Sequence, residues 1–405
     1  MTDKSKAVRN PERVEMVKQA IAVADCDAVV CALPVNVLMM SGYWPVVGTS
    51  LVVATREGAI ILLLPEDEKE LTENSWADEV RTYQPNSLHK LQSPVESAGE
   101  ALHELLHRLG LHCSRIGYEF GPSSEPSSYA AMNLYGTAIV DLLRIAAPSA
   151  PLAPVDKQFV ELAAIKTPVE IERLRLACGI AGAAFEGGVT HLRAGLTEMQ
   201  VAVLFRAGLC THWAVESGAH RADGFAHCMS GPNSALASRA YARTRAREIK
   251  NGDFVLMHCN SYVDGYWTDI TRTYVVRQPD ERQQQLYEAV FAARAAALAE
   301  IKPGVKCSQI DRAARELLSQ RGFGEAFKHS TGHGVGFAAI SANAHPRLHP
   351  LSSETLQTGM VFNLEPAVYF EGYGGLRHCD MIAVTQRGAE VLTPFQQSPE
   401  ELILR

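Results

Sequence analysis

Residues 258–273 read HCNSYVDGYWTDITRT, and the reading of this stretch decides the rest. Asp264-Gly265 is a dipeptide that closes a two-residue hairpin turn, because both central positions of that turn need a positive φ. The flanking runs are rich in Tyr, Val, Trp, Ile and Thr, which suit paired strands. If the turn closes there, Asn260 lies opposite Asp269, and His258 sits one diagonal step away on the same face. Period two then lets His258 and Asp269 meet one ligand. A lone His or Asp in a strand is as a rule only hydrogen-bonded structure, but the two on one face need a reason.

The bulk numbers set the frame. A chain of 405 residues exceeds one ordinary core, so two domains are expected, over 1–150 and 160–405. With 47% hydrophobic and 20% charged residues, it has the composition of a soluble globular protein. A net charge of -7 argues against a nucleic-acid or anionic-membrane partner. The first residues lack the apolar core of a signal peptide, and the aliphatic run AIILLLP is too short to cross a bilayer. Nine scattered cysteines, none in Cys-x-x-Cys, read as reduced thiols of a cytoplasmic protein.

Along the chain, the runs DAVVCAL, SLVVAT and AIILLLP, with a turn at Arg56-Glu57-Gly58 and a helical pattern in ESAGEALHELLHRLGL, predict an α/β domain. RIAAPSAPLAPVDKQ concentrates proline and small residues as linkers do, and the boundary is placed there. Beyond it, Ile171, Leu174, Cys178, Ala181 and Phe185 recur at helical spacing after TPVEIE. LRAGLTEMQVAVLFRAGL carries Thr197 and Gln200 in capping-box order, and a similar phrase returns as IKPGVKCSQIDRAARELLSQRG. The repetition suggests two related halves of one domain.

Three further segments carry unusual polar groups. Glu365 interrupts the apolar run GMVFNLEPAVYF, so it is either salt-bridged, to Arg377 or Arg272, or bound to a metal. HSTGHGVGF sets His329 and His333 among glycines that permit close backbone approach. EGYGGLRHCDMIAVT leads Arg377, His378, Cys379 and Asp380 into a strand. Asp, His and Glu from separate segments suggest an oxygen-and-nitrogen metal site with an open position.

In order, DGYWTDITRT, STGHGVG, GMVFNLEPAVY and GLRHCDMIAVT resemble the creatinase/prolidase/aminopeptidase P family of M24-like peptidases. IKTPVEIERLRLA at the domain entry extends the likeness to the whole chain. The resemblance implies a creatinase-like α/β domain followed by a pita-bread domain of α+β type. It implies cleavage of the bond before proline, with two divalent metals on two Asp, one His and two Glu. Asp269, His333 and Glu365 match three of those ligands; the first Asp falls on His258 and the final, bridging Glu on Cys379. His329 matches a transition-state donor and Arg377 an orienting group. The substrate-side His after SGPNSAL falls on Ser238, and the loop His of the family is displaced in NAHPRLHP, where His345 or His349 stands as its substitute.

The expectation is therefore a hydrolase of Xaa-Pro dipeptidase or aminopeptidase type, acting on a small molecule or short peptide. It holds one divalent ion (Zn, Mn or Fe) on Asp269, His333 and Glu365, with Cys379 or His258 as a further ligand and Glu365 accepting the proton of water. A homodimer is expected by the same resemblance. Two alternatives stand beside it. One is a metal-free creatinase-like hydrolase of a C–N bond, with Cys379 or Cys259 as nucleophile activated by His258 or His378. The other is a pita-bread binding module without chemistry.

Overall fold

The computed structural model describes residues 10–46, 49–84, 94–119, 138–210, 219–238, 243–340 and 344–404. It divides into two compact units, residues 1–163 and 164–405.

The first unit is built on strands β1 (Ala28–Cys31), β2 (Leu51–Thr55), β3 (Ile60–Pro65), β4 (Glu79–Tyr83), β5 (Ile116–Tyr118) and β6 (Leu152–Pro154), ordered β4-β3-β2-β1-β5-β6. The three aliphatic runs expected as strands are β1, β2 and β3, paired antiparallel, with Gly58 at φ 94° in the turn between the last two. Helices α1 (Pro11–Val23), α2 (Pro34–Ser41), α3 (Pro94–Arg108), α4 (Ala138–Ala146) and α5 (Asp156–Ala164) complete it. Leu102 and Leu106 of α3 and Leu143 of α4 pack with Leu51, Val53, Ile61 and Leu63 of the sheet. One expectation is corrected: the proline-rich stretch is more than a linker, since Leu152–Pro154 adds a parallel edge strand beside β5. An edge is where a strand tolerates proline, because the missing N–H then costs no ladder bond.

The second unit opens with α6 (Pro168–Val189), started by a capping box in which the Thr167 N–H donates to Glu170. Leu174, Cys178, Ala181 and Phe185 are its buried face, and Ile171 is half-buried. α7 (Glu198–Ala207) starts on the expected box: the Gln200 N–H donates to Thr197 Oγ1 and the Thr197 N–H to Gln200 Oε1. α8 (Glu281–Glu300) packs on α9 (Cys307–Gln320) as α6 packs on α7, so a helix pair recurs in each half. Between the pairs run β7 (Ala222–Ser230), β8 (Phe254–Val263), β9 (Tyr266–Trp267) and β10 (Ile270–Val276). After them come β11 (Gly332–His333), β12 (Arg347–Leu348), β13 (Val361–Leu364), β14 (Ala367–Phe370), β15 (Gly374–Arg377), β16 (Asp380–Thr385), β17 (Gly388–Val391) and β18 (Ile403–Leu404). The main sheet runs β18-β10-β8-β7, and a second runs β13-β16-β17. A two-residue bridge joins them: Cys379 and Thr271 exchange N–H···O bonds of 3.0 and 3.3 Å. Among the described residues no helix is long and apolar enough to cross a membrane.

The hairpin turn closes as its chemistry demands, with Asp264 at φ 50° and Gly265 at φ 86°. Gly265→Val forces a β-branched residue into the left-handed region, at a cost of about 1–3 kcal/mol. Denaturant unfolding is expected to show that loss, whereas Asp264→Asn, which accepts the left-handed region and keeps the oxygen that takes the Arg221 N–H at 2.9 Å, is expected to be tolerated; equal stabilities of the two variants would contradict the turn assignment.

Candidate active site

The hairpin register settles what faces what. Val263 pairs with Tyr266, Ile270 with Cys259 and Thr271 with His258, so Asp269 lies opposite Asn260 and diagonal to His258. Asp269 is 2% exposed. Its Oδ1 lies 3.6 Å from His258 Nδ1 and its Oδ2 3.5 Å from His333 Nε2. The Thr271–Cys379 bridge brings in the second sheet, so that Cys379 Sγ lies 3.2 Å from the Asp269 main-chain oxygen and 3.8 Å from Oδ1. Two expected neighbours, drawn from segments over a hundred residues apart, thus meet at one carboxylate.

His333 reaches this point because its flanking glycines let the chain run close to its neighbours. A Cβ on Gly332 would lie 1.9 Å from the Asn363 carbonyl oxygen, and one on Gly334 2.0 Å from that of His345. Asn363 Oδ1 accepts the His333 main-chain N–H at 2.7 Å, and its Nδ2 lies 3.2 Å from His333 Nε2. Two residues after Asn363, Glu365 is anchored by its N–H to the Thr331 carbonyl at 2.8 Å. Glu365 Oε2 is 3.6 Å from Arg377 Nη1, while Arg272 pairs with Asp380, so the salt-bridge reading of Glu365 resolves in favour of Arg377. Arg377 Nε donates to Thr271 Oγ1 at 3.1 Å, and its buried Nη2 has no hydrogen-bond partner among the described residues. His329 places Nδ1 2.8 Å from the Ser330 carbonyl and Nε2 2.9 Å from the Tyr369 hydroxyl.

Burial and charge set the protonation. Burial alone would raise the Asp269 carboxyl, but His258, His333 and Arg377 together hold it below the ordinary carboxylate range. Burial would lower His333, yet its contact with Asp269 and the charge of Glu365 push it up to about 9. His258 is driven by burial down to about 3, a pull that Asp269 only partly opposes, and burial likewise lowers His329. Burial raises Cys259 to about 12 and Cys379 well above the usual thiol range, helped by Asp269 in both cases. Thiols held protonated in this way are poor nucleophiles.

The His345 ring pairs with Glu354 at 2.9 Å, and Ser238, half-buried, ends the 3-10 turn Gly231–Ser238. Conversely, Thr271, Asn363 and Tyr369 sit against the cluster without having been singled out. Thr271 was readable as the residue opposite His258 in the hairpin register; the others depend on pairing between distant segments.

Among the described residues no group of three or more His, Cys, Asp or Glu side chains is arranged so that it could hold a metal ion as it stands. The donor chemistry nevertheless suits one. Asp269 is buried, and the basic groups within 4 Å of it among the described residues are both imidazoles. Such a carboxylate, with an imidazole and a second carboxylate nearby, is an oxygen-and-nitrogen donor set for a divalent ion.

A creatinase-like α/β unit followed in sequence by a pita-bread unit with this cluster at its sheet junction is the architecture of the creatinase/prolidase class. The chain belongs to metallopeptidase family M24, whose model matches residues 172–386; the Creatinase/Prolidase N-terminal domain model matches residues 13–141. It is similar to an uncharacterized peptidase, YqhT, of Bacillus subtilis, at 32% identity over 72% of this chain and 75% of that one. It is similar to a Xaa-Pro dipeptidase of Pyrococcus furiosus at 28% identity over 95% and 99% of the two chains. The solved Xaa-Pro dipeptidase from Bacillus anthracis superposes with a TM-score of 0.76 at 26% identity, covering 98% and 99%.

Buried neutral histidines give the fold an acid limit. His378, between Arg272 and Asp380, is lowered to about 4 by burial and by the Arg272 charge, as burial lowers His258 to about 3. In the unfolded chain both titrate near 6.5. The unfolded state therefore binds more protons below about 6.5, and stability falls as pH drops from there toward 4, by up to about 1.4 kcal/mol per pH unit per histidine. Unfolding free energies of the metal-free protein across that window are expected to show the slope, reduced by one proton in His378→Phe. An unaltered slope in that variant would refute the assignment.

Proposed function

We propose that this chain is a metal-dependent hydrolase of amide bonds that cleaves short peptides before proline, in the manner of a Xaa-Pro dipeptidase. Similarity along 95% of the chain to a protein of that name supports the reaction class. The observation that carries the reading is the buried Asp269 carboxylate with His258 and His333 on either side. In this reading Asp269, His333 and Glu365 hold one zinc, manganese or iron ion. When bound, such an ion polarises a carbonyl and lowers the pKa of water.

The remaining roles belong to the protein. Glu365, 9% exposed and tethered through Thr331, accepts the proton of the attacking water. Arg377, fixed by Thr271, holds the Glu365 carboxylate in orientation. His329, whose Nδ1–H is spent on the Ser330 carbonyl, donates to the charge developing on the carbonyl oxygen when protonated also at Nε2, the nitrogen 2.9 Å from the Tyr369 hydroxyl. Ser238 and His345 are the residues that would contribute to substrate binding. The enzyme works as a homodimer in the cytoplasm, a compartment that suits its unpaired cysteines.

The test is activity on a dipeptide ending in proline, measured on protein purified without a chelating tag and paired with elemental analysis. Activity is expected to disappear on chelation and to return with metal. Glu365→Gln is expected to lower turnover by roughly 10²–10⁴-fold with the circular dichroism spectrum unchanged. Cleavage that survives complete metal removal would overturn the proposal.

A further inference from the structure

Between the 3-10 turn Gly324–Ala326 and β11, residues 328–331 belong to no helix or strand, yet two groups assigned to the reaction depend on them. His329 is one of these residues. The other group, Glu365, is seated by its N–H on the Thr331 carbonyl at 2.8 Å. A segment without a ladder of its own needs outside partners for its main-chain groups if it is to hold one path.

Helix α9 supplies them. Asp311 and Arg315 stand one turn apart on it, and Arg315 Nε and Nη2 donate to Asp311 Oδ2 and Oδ1, each at 2.9 Å, as a planar fork. The same Nη2 donates to the His329 carbonyl at 2.9 Å, and Nη1 donates to the Phe327 carbonyl at 3.1 Å. The guanidinium also lies over the Phe327 ring, 4.4 Å from its centroid, and that ring meets the His329 ring edge-on at 5.3 Å. Asp311, whose side chain is 1% exposed, takes the far end of the segment: its Oδ1 accepts the Thr331 main-chain N–H at 3.0 Å and the Thr331 hydroxyl at 2.7 Å. Four of the five N–H groups of Arg315 are engaged in this way, an arrangement that a lysine ammonium cannot reproduce.

We propose that Asp311 and Arg315 are positioning residues for the reaction. Together they grip the segment at Phe327, His329 and Thr331, and so fix His329 and Glu365 relative to each other through the main chain. This role rests on the hydrolase reading above and deepens it. An ion pair that only steadied α9 would need neither the two segment carbonyls nor the Thr331 hydroxyl.

Arg315→Lys keeps a cation beside Asp311 but lacks the fork. On a dipeptide ending in proline, the metal-loaded variant is expected to lose about 10²-fold in kcat with KM nearly unchanged. Thr331→Val, which deletes only the hydroxyl bond, is expected to lose less, and Thr331→Ser to recover that loss. Hydrogen exchange of the metal-free protein, followed by mass spectrometry, reads the clamp without turnover. Faster exchange is expected in Arg315→Lys for peptides covering 327–333 and the Glu365 amide, with β8, β10 and β16 unchanged. Wild-type kcat in that variant, or unaltered exchange at Glu365, would overturn the positioning role. Faster exchange spread equally over β8, β10 and β16 would also overturn it, since that marks a residue that only stabilises the fold. A wild-type chain inactive on such dipeptides with metal added would sink the hydrolase reading, and the exchange pattern would still decide whether the clamp holds.

Discussion

The second unit depends on one buried charge cluster. Asp380 accepts from Arg272 Nη2 at 2.7 Å and from Arg294 Nε at 2.6 Å, and both Asp380 and Arg272 are fully buried. Thr393 adds a donor at 2.8 Å, and Arg272 also donates to the carbonyls of Cys379 and Phe395. Burial opposes the carboxylate, yet these cations hold Asp380 well below its usual range. A buried carboxylate is tolerable only when it is satisfied in this way, and removing one partner of such a pair costs about 3–5 kcal/mol. The consequence is geometric. Arg272 belongs to β10 and Asp380 to β16, so their pairing pins the two sheets together one residue from the Thr271–Cys379 bridge.

That pin is what places the chemistry. Asp269 lies three residues before Arg272 on the hairpin, and Cys379 immediately precedes Asp380, so fixing the ion pair fixes the approach of the Cys379 sulfur to the Asp269 carboxylate. The other wall is set by the glycines around His333 and by the Thr331–Glu365 backbone bond, which seats Glu365 beside Arg377. Close backbone approach and a buried ion pair therefore do the positioning.

Much of this was legible in the residues. The hairpin could be read to the register because turn chemistry is local: Asp264-Gly265 dictates the turn, the turn dictates the pairing, and period two dictates which side chains share a face. The Thr197–Gln200 cap was readable for the same reason. Non-local choices were not. Arg272 and Arg377 were equal partners for Glu365 in the sequence, and only sheet packing sends the first to Asp380. The displaced loop histidine, His345, turns to Glu354, a residue nine positions on, across a loop whose path no pattern prescribes. The proline-rich stretch looked like a linker because composition reports the absence of strand formers and cannot report an edge that accepts three residues beside β5.

The buried ring of His258 must satisfy its own polar atoms, since a buried ring nitrogen without a partner costs about 1–3 kcal/mol. Asn260 meets that need on one side of the His258 ring and Thr271 on the other, both fully buried and both on the hairpin that carries Asp269. Asn260 is thus coupled to His258 by chemistry as well as by position: an apolar side chain there would leave the Nε2 atom of a fully buried ring without the oxygen that lies 2.9 Å from it.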